Sequence, residues 1–296
     1  MSNKKVEELK RQYMDIPIPE KLDFIVRKTL KDGGIKDMKK NNKYKWISAA
    51  AAVAIIFTAS INISPSFAET LSEVPVIKGL VKVLTFREYK VDEDNYNADI
   101  KVPAVEGLEN KDLENSLNKK YIEENKKLYE DFMADVEDLK ANGGGHLGID
   151  SGYEVKADND KILSIGRYVV NTAASSSTVF KFDTIDKENQ VLITLPSLFK
   201  DDSYIDVISE NIIEQMKEQM KADEGKVYWI EGYVEEDPTS AFEKISSDQN
   251  FYITENNKLV ISFNKYDVAP GYMGVVEFEI PTDAISNILV SNEYIN

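Results

Sequence analysis

The chain contains 296 residues, a single histidine and no cysteine, which excludes disulfides, thiolate metal sites and multi-histidine metal centres. The net charge of −16 is distributed unevenly: residues 1–46 carry 13 Lys/Arg and 7 Asp/Glu, whereas residues 69–296 carry 23 Lys/Arg and 45 Asp/Glu. Residues 47–68 carry no charge. A basic segment and an acidic segment on the two sides of an uncharged stretch indicate that the chain occupies two compartments.

The first 45 residues contain two helical patterns separated by the sequence Ile16-Pro17-Ile18-Pro19. In the second pattern Leu22, Ile25 and Val26 recur at helical spacing, and the preceding proline suits the first turn of a helix. A segment this short cannot build its own core, so its apolar stripe is expected to meet a partner groove or the membrane surface. Six lysines between residues 31 and 45 are expected to set membrane topology and attract anionic lipid rather than bind nucleic acid.

The uncharged stretch at residues 46–68 is long enough to cross a bilayer, which requires ~20 mainly apolar residues. Lysines precede it and two glutamates, Glu69 and Glu73, follow it, which places the N-terminus in the cytoplasm and the C-terminal domain outside the cell. The basic flank and the charge-free length argue against the alternative, a buried helix of a soluble protein. We therefore predict a transmembrane signal-anchor helix over residues 46–65.

A candidate cleavage site follows directly. Ser66 and Ala68 are small residues at the two positions that signal peptidase reads, and Pro65 breaks the helix before them. The predicted cut lies between Ala68 and Glu69. An ordinary signal peptide is the alternative, but the 45-residue lead is too long for one, which favours an anchor that carries a cleavable site.

Residues 66–105 are predicted to form a cleavage site followed by an amphipathic juxtamembrane stalk. Apolar side chains recur there at spacings of three and four, at Val74, Ile77, Val81 and Leu84. This stretch either packs on the membrane or the outer domain and hides the cut site, or is a plain first helix of that domain. The acidic run at residues 92–99 lacks the glycine and closing glutamate of a calcium loop, which indicates a solvated linker.

Residues 106–296 are predicted to form one extracellular domain of α+β class, with two helices packed on an antiparallel sheet. Apolar positions from Leu113 to Leu139 predict a long helix that ends at Asn142 and the following glycines, and a second helix is predicted to open after Asp202 or Ser203. Strands are predicted at residues 153–156, 162–170, 179–182, 191–195, 227–230, 251–254, 259–263 and 275–280.

Catalysis is not expected. His146, the single histidine, follows three glycines in a predicted loop, and no G-x-S-x-G elbow accompanies it. Carboxylate pairs are too common in a chain this acidic to nominate a general acid and base. We therefore predict neither an enzyme nor a bound metal or cofactor.

An ordered set of segments carries a family resemblance. These are Tyr13 with residues 18–26, then residues 174–178, 195–199, 251–253, 256–257, 259–264, Tyr266, 269–270 and 279–281. Together they resemble the RsiV-type anti-sigma factors over nearly the whole chain.

The resemblance implies that the N-terminal segment holds an extracytoplasmic-function (ECF) sigma factor at the membrane. The residues that match the family's N-terminal motif are Tyr13, Ile18, Pro19, Leu22, Ile25 and Val26. It further implies that the outer domain binds lysozyme, that signal peptidase then cuts the chain, and that a site-2 protease cuts within the membrane helix. The acidic outer segment would attract a basic lysozyme.

Two loops are the candidate ligand-binding residues, from loop chemistry and from the resemblance together. Ser175, Ser176 and Ser177 form a small polar turn, and Pro270 and Tyr272 lie in a rigid turn that presents an aromatic residue. The alternative for Tyr272 is that it caps the core. The alternative function for the whole chain is a membrane-anchored cell-wall or glycan-binding module.

Overall fold

The computed structural model describes residues 81–233 and 241–296. The chain divides into two units, Met1–Val74 and Pro75–Asn296. The predicted sigma-factor segment, signal anchor and cleavage site lie outside the described residues. Within the described ranges, no helix combines the length and the apolar character needed to span a membrane.

The first half of the described chain forms a six-stranded sheet and one long helix. The strands are β1 (Lys82–Glu93), β2 (Tyr96–Glu106), β3 (Leu147–Asp158), β4 (Ile162–Thr172), β5 (Ser176–Asp186) and β6 (Val191–Ile193), and helix α1 spans Lys111–Ala141. The strands lie in the sheet in their order along the chain. The predicted α+β class is therefore confirmed for this part of the chain.

One pair of strands corrects the predicted sheet. All neighbours are antiparallel except β2 and β3, which run parallel from Tyr96↔Leu147 to Ile100↔Ser151. A parallel pair cannot be joined by a tight turn and needs a crossover connection. Helix α1 is that crossover, so it links two neighbouring strands of the sheet instead of preceding the sheet.

Strands β1 and β2 also correct the predicted stalk and acidic linker. They form an antiparallel hairpin from Lys82↔Glu106 to Glu93↔Tyr96, so the domain boundary predicted at residue 106 falls at the end of β2. Val81 is buried in the core of the sheet and Leu84 lies within β1, so the helical spacing does not continue into the described residues. The acidic run supplies the end of β1, the turn of this hairpin and the start of β2. Ile100 and Val102, just beyond it in β2, are fully buried.

Helix α1 has the predicted position and clear physical ends. Asn110 accepts a hydrogen bond from the backbone N–H of Leu113 at its start, and Gly143, with φ of 102°, follows its end. The residues that this helix buries recur at helical spacing: Leu117, Tyr121, Asn125, Phe132 and Val136. They pack on β2, β3 and β4 in one core.

The helix also covers an open strand edge. Beyond Ile100 the parallel pairing of β2 and β3 ends, which leaves the edge of β2 without a strand partner on that side. The Asn118 side chain fills this gap, because its oxygen accepts from the Val105 N–H at 2.8 Å and its amide donates to the Val105 carbonyl at 2.9 Å. A side-chain amide thus supplies the hydrogen bonds that a neighbouring strand would supply.

The second half of the described chain builds a second core, to which Ala157, Ile162 and Ile193 of the first sheet also contribute. Helix α2 (Ser203–Ala222), the antiparallel sheet β7 (Phe251–Ile253), β8 (Leu259–Phe263) and β9 (Val276–Ile280), and the short α3 (Thr282–Ile285) pack together. Helix α2 begins where predicted. The strand predicted at residues 227–230 is not formed, because Ile230 makes only a single parallel bridge to Phe242.

Asn118→Ala should lower the free energy of unfolding by about 1–3 kcal/mol, because it leaves the Val105 backbone groups half-buried without partners. Urea unfolding measures the change. The control is Lys119→Ala, at a side chain that is 74% exposed and should change stability by less than about 0.5 kcal/mol. Equal effects would contradict the edge-covering role.

Asp186→Asn should make the free energy of unfolding less dependent on pH. Burial raises the pKa of Asp186, but hydrogen bonds from Tyr294 and Asn189 outweigh it and hold the pKa below its usual range. A lowered carboxyl pKa stabilises the fold above the unfolded-state pKa, about 3.9, and this contribution is lost as pH falls through the folded-state pKa. The variant should therefore be less stable at pH 7, with a difference that shrinks below about pH 4. A difference that stays constant in urea titrations from pH 7 to pH 3 would contradict this.

Candidate ligand-binding surface

Strands β4 and β5 form a long hairpin that carries the three serines at its tip. Its register runs without a bulge from Ile162↔Asp186 to Thr172↔Ser176. The sequence predicts β5 from residue 179, but the strand begins at Ser176, so Ser176 and Ser177 are strand residues. Ser175 is exposed in the turn, which is closed by a hydrogen bond from the Ala173 N–H to the Ser175 carbonyl.

A buried ion-pair network fixes this hairpin to helix α1. Asp183 of β5 accepts from the Lys120 ammonium at 2.9 Å, the Tyr121 hydroxyl at 3.1 Å and the Arg167 Nε at 3.2 Å. The Arg167 guanidinium lies 4.4 Å from the centre of the Tyr121 ring and also pairs with Glu124. Two strands and one helix are therefore joined through one carboxylate.

The pKa shifts in the network reflect both burial and the neighbouring charges. Burial, followed by the charge of Asp183, raises the pKa of the Tyr121 hydroxyl, so this group remains a hydrogen-bond donor. Burial alone would lower the pKa of Arg167, but Asp183 and Glu124 outweigh it and raise that pKa. The same guanidinium holds the pKa of Glu124 below its usual range despite the opposing effect of burial. The shifts of Arg167 and Glu124 both favour the charged forms that their ion pair requires.

The second candidate loop presents Tyr272 to solvent. Pro270 precedes a short 3-10 helix, Gly271–Met273, and the Tyr272 side chain is 68% exposed. Its hydroxyl donates to the Gly225 carbonyl at 3.0 Å, which holds the ring against the loop that follows α2. The alternative that Tyr272 caps the core does not agree with this exposure.

The structure brings the two candidate loops to one surface through Lys265 and Tyr266. The Lys265 ammonium donates to the Ser176 hydroxyl at 3.0 Å, and its backbone N–H donates to the Thr178 carbonyl. The Tyr266 ring lies against the α-carbon of Gly271. We call Ser175, Ser176, Ser177, Lys265, Tyr266, Pro270 and Tyr272 the tip surface. No sequence pattern points to Lys265 or Tyr266 as a binding residue; the family match at Tyr266 is the signal that could have found it.

The remaining sequence candidates do not form a chemical site in the described ranges. His146 is exposed in the loop between α1 and β3. Among residues 81–233 and 241–296, no group of three or more His, Asp or Glu side chains could hold a metal ion. A cleft of about 240 Å³ lies between α1 and β3 to β5, but its carboxylates, Glu124 and Asp131, are engaged in ion pairs with Arg167, Lys181 and Lys127.

Comparisons with known proteins identify the fold. Residues 196–283 match the family described as "Protein of unknown function (DUF3298)" and residues 39–153 match "Domain of unknown function (DUF4179)". A crystal structure of a DUF3298 family member from Bacteroides fragilis is 18% identical, with a TM-score of 0.51, and covers 73% of this chain and 96% of its own. A DUF3298 family protein from Pseudomonas aeruginosa is 11% identical, with a TM-score of 0.45, over 75% of this chain and 99% of its own. The match to residues 196–283 and the Bacteroides fragilis structure indicate that the domain has the α+β fold of the DUF3298 class.

A full-length relative is more specific. The anti-sigma-V factor RsiV of Bacillus subtilis is 49% identical over 294 residues, which cover 99% of both chains. The chain belongs to the RsiV-type anti-sigma factors. It is accordingly a regulatory protein and not an enzyme.

Asp183→Asn should destabilise the fold by about 3 kcal/mol, because it leaves a buried guanidinium with one carboxylate partner fewer. The control is Glu124→Gln, whose carboxylate is partly exposed and should cost at most about 1 kcal/mol. Urea unfolding compares the two. Equal losses would show that Asp183 does not dominate the network.

Proposed function

We propose that this chain is a membrane-anchored anti-sigma factor that sequesters an ECF sigma factor and is destroyed by regulated proteolysis when its outer domain binds lysozyme. The observation that carries the proposal is the 49% identity to an anti-sigma factor over 99% of both chains. The sigma factor is held on the cytoplasmic side by the N-terminal stripe at Leu22, Ile25 and Val26, together with Tyr13 and the segment containing Ile18 and Pro19.

Lysozyme binds at the tip surface. The support is that two segments distant in sequence meet there, and that they expose Tyr272, an aromatic side chain of the kind that dominates protein interfaces. The excess of 45 Asp/Glu over 23 Lys/Arg in residues 69–296 gives long-range attraction for a basic lysozyme and speeds the encounter.

Cleavage is controlled by the short distance between the cut site and the folded domain. Val81 packs in the core and β1 starts at Lys82, so residues 69–80 alone join the predicted cut to the domain. Twelve residues span at most about 40 Å even when fully extended. We propose that so short a connection limits the access of signal peptidase to Ala68. A ligand that binds the obstructed and the open arrangement unequally shifts the population towards the open one. Signal peptidase then cuts between Ala68 and Glu69, next to Ser66, and a site-2 protease cuts within the membrane helix.

Adding lysozyme to cells should produce a fragment that begins at Glu69, detected by N-terminal sequencing. Tyr272→Ala should reduce the yield of the fragment at least about 5-fold at a lysozyme concentration that half-saturates the native chain, because the loss of an exposed aromatic anchor weakens binding at least about 10-fold. The matched control is Val191→Ala, which removes an exposed side chain at the opposite end of β5 from the serines. An intact native chain after prolonged exposure would refute lysozyme sensing.

The full-length chain should copurify with an ECF sigma factor from its own cells, and a variant with Asp at Leu22, Ile25 and Val26 should not. Charges on the stripe remove the apolar contact that the partner groove needs. Mass spectrometry of the retained proteins identifies the partner. If neither chain retains a sigma factor, the N-terminal segment is only a lead to the anchor.

The second candidate function, a cell-wall or glycan-binding module, is supported by the two exposed tyrosines of the tip surface, because aromatic faces also suit sugar rings. Sedimentation of the purified protein with peptidoglycan in the absence of lysozyme separates the two functions. Co-sedimentation that is lost in Tyr272→Ala would favour the glycan-binding function.

A further inference from the structure

Tyr266 adopts a backbone conformation that its side chain disfavours. Its φ is +77°, in the left-handed region where a bulky residue is a steric outlier. Of the other non-glycine residues with positive φ in the described ranges, Gln190 and Asn257, neither has a ring. Strained residues of this kind persist where the surrounding structure holds them, and they cluster at functional sites.

Hydrogen bonds of the neighbouring residues keep Tyr266 in this strained conformation. Asn264 accepts from the Phe180 N–H of β5 at 2.7 Å, and its own N–H donates to Asp267 at 2.8 Å. Lys265 is bonded to β5 through both its backbone and its side chain. The residues on either side of Tyr266 are therefore fixed to the serine hairpin and to each other, and the strained residue cannot relax without breaking these bonds.

The Tyr266 ring is pressed against the second candidate loop. A β-carbon added to Gly271 would lie 2.3–2.4 Å from the nearest three atoms of the Tyr266 side chain, closer than real contacts allow. Any side chain at residue 271 would therefore require the Tyr266 ring or the turn to move. Gly271 lies between Pro270 and Tyr272, and the turn that contains it is closed by a hydrogen bond from Met273 to Pro270.

We propose that Tyr266 is a positioning residue of the tip surface: its ring, seated on Gly271, fixes the turn of Pro270 and Tyr272 relative to the hairpin of Ser175, Ser176 and Ser177. This inference rests on the proposed function, in which one protein ligand contacts both loops. A rigid ligand can engage both loops at once only if their spacing is already correct, and the strained backbone supplies that preorganisation.

Tyr266 is expected to contribute to lysozyme binding without contributing to the stability of the fold. Tyr266→Gly removes the ring and the backbone strain together, because glycine adopts positive φ readily. This variant should unfold at the same temperature as the native chain or higher, yet bind lysozyme at least about 10-fold more weakly. Tyr266→Phe keeps the ring that contacts Gly271 and should bind within about 2-fold of the native chain.

A double-mutant cycle tests the contact itself. Gly271→Ala should weaken lysozyme binding about 10-fold in the native background, because the ring or the turn must move. In the Tyr266→Gly background the same change should have less than about a 2-fold effect, since the space above Gly271 is then open. Full-length proteins and hen lysozyme, in a surface-binding assay, measure both effects.

A measurement without ligand keeps the inference distinct from the proposed function. Hydrogen exchange of the Met273 and Gly274 amides should be faster in Tyr266→Gly than in the native chain and unchanged in Tyr266→Phe. If lysozyme does not bind the native chain, the proposed function fails while exchange still decides whether Tyr266 holds the turn. Native exchange rates in Tyr266→Gly, or independent effects of the two substitutions on binding, would overturn the inference; the latter would make Tyr266 a contact residue only.

Discussion

The described domain depends on a single buried carboxylate. Asp183 is 4% exposed and binds Lys120 and Tyr121 of the crossover helix and Arg167 of the neighbouring strand. An ion pair at this depth carries a desolvation cost and is stabilising only when its partners are all in place. It therefore favours one relative position of helix and hairpin over others that would bury the same apolar area.

That position determines where the tip surface lies. Strands β4 and β5 run from the network to the serine turn without a bulge, so the position of their tip follows from the position of Asp183. The 264–268 segment is then bonded to the outer edge of β5, and Tyr266 transmits that position to the turn of Tyr272. A ligand surface made of loops thus acquires rigidity from strands and from one buried charge network.

Under the proposed function, the same organisation suits a regulator that must be stable until its ligand triggers its proteolysis. The described domain is stabilised by two cores, whereas the predicted cut lies outside it, thirteen residues before β1 begins. Ligand binding need not unfold the domain to permit cleavage. It need only change the access of a protease to a short connection, which requires a modest difference in affinity between two arrangements.

Local pattern in the sequence determined both long helices and most strands, because periodicity and capping residues act over a few residues. It could not reveal the parallel pairing of β2 and β3 or the strands that begin and end within the acidic run. Nor could it reveal that Lys265 and Tyr266 connect the two candidate loops. Those depend on which distant side chains are buried together. The tertiary structure decided them, because a strand edge, a buried charge and a ring over a glycine each depend on a partner that is distant in sequence.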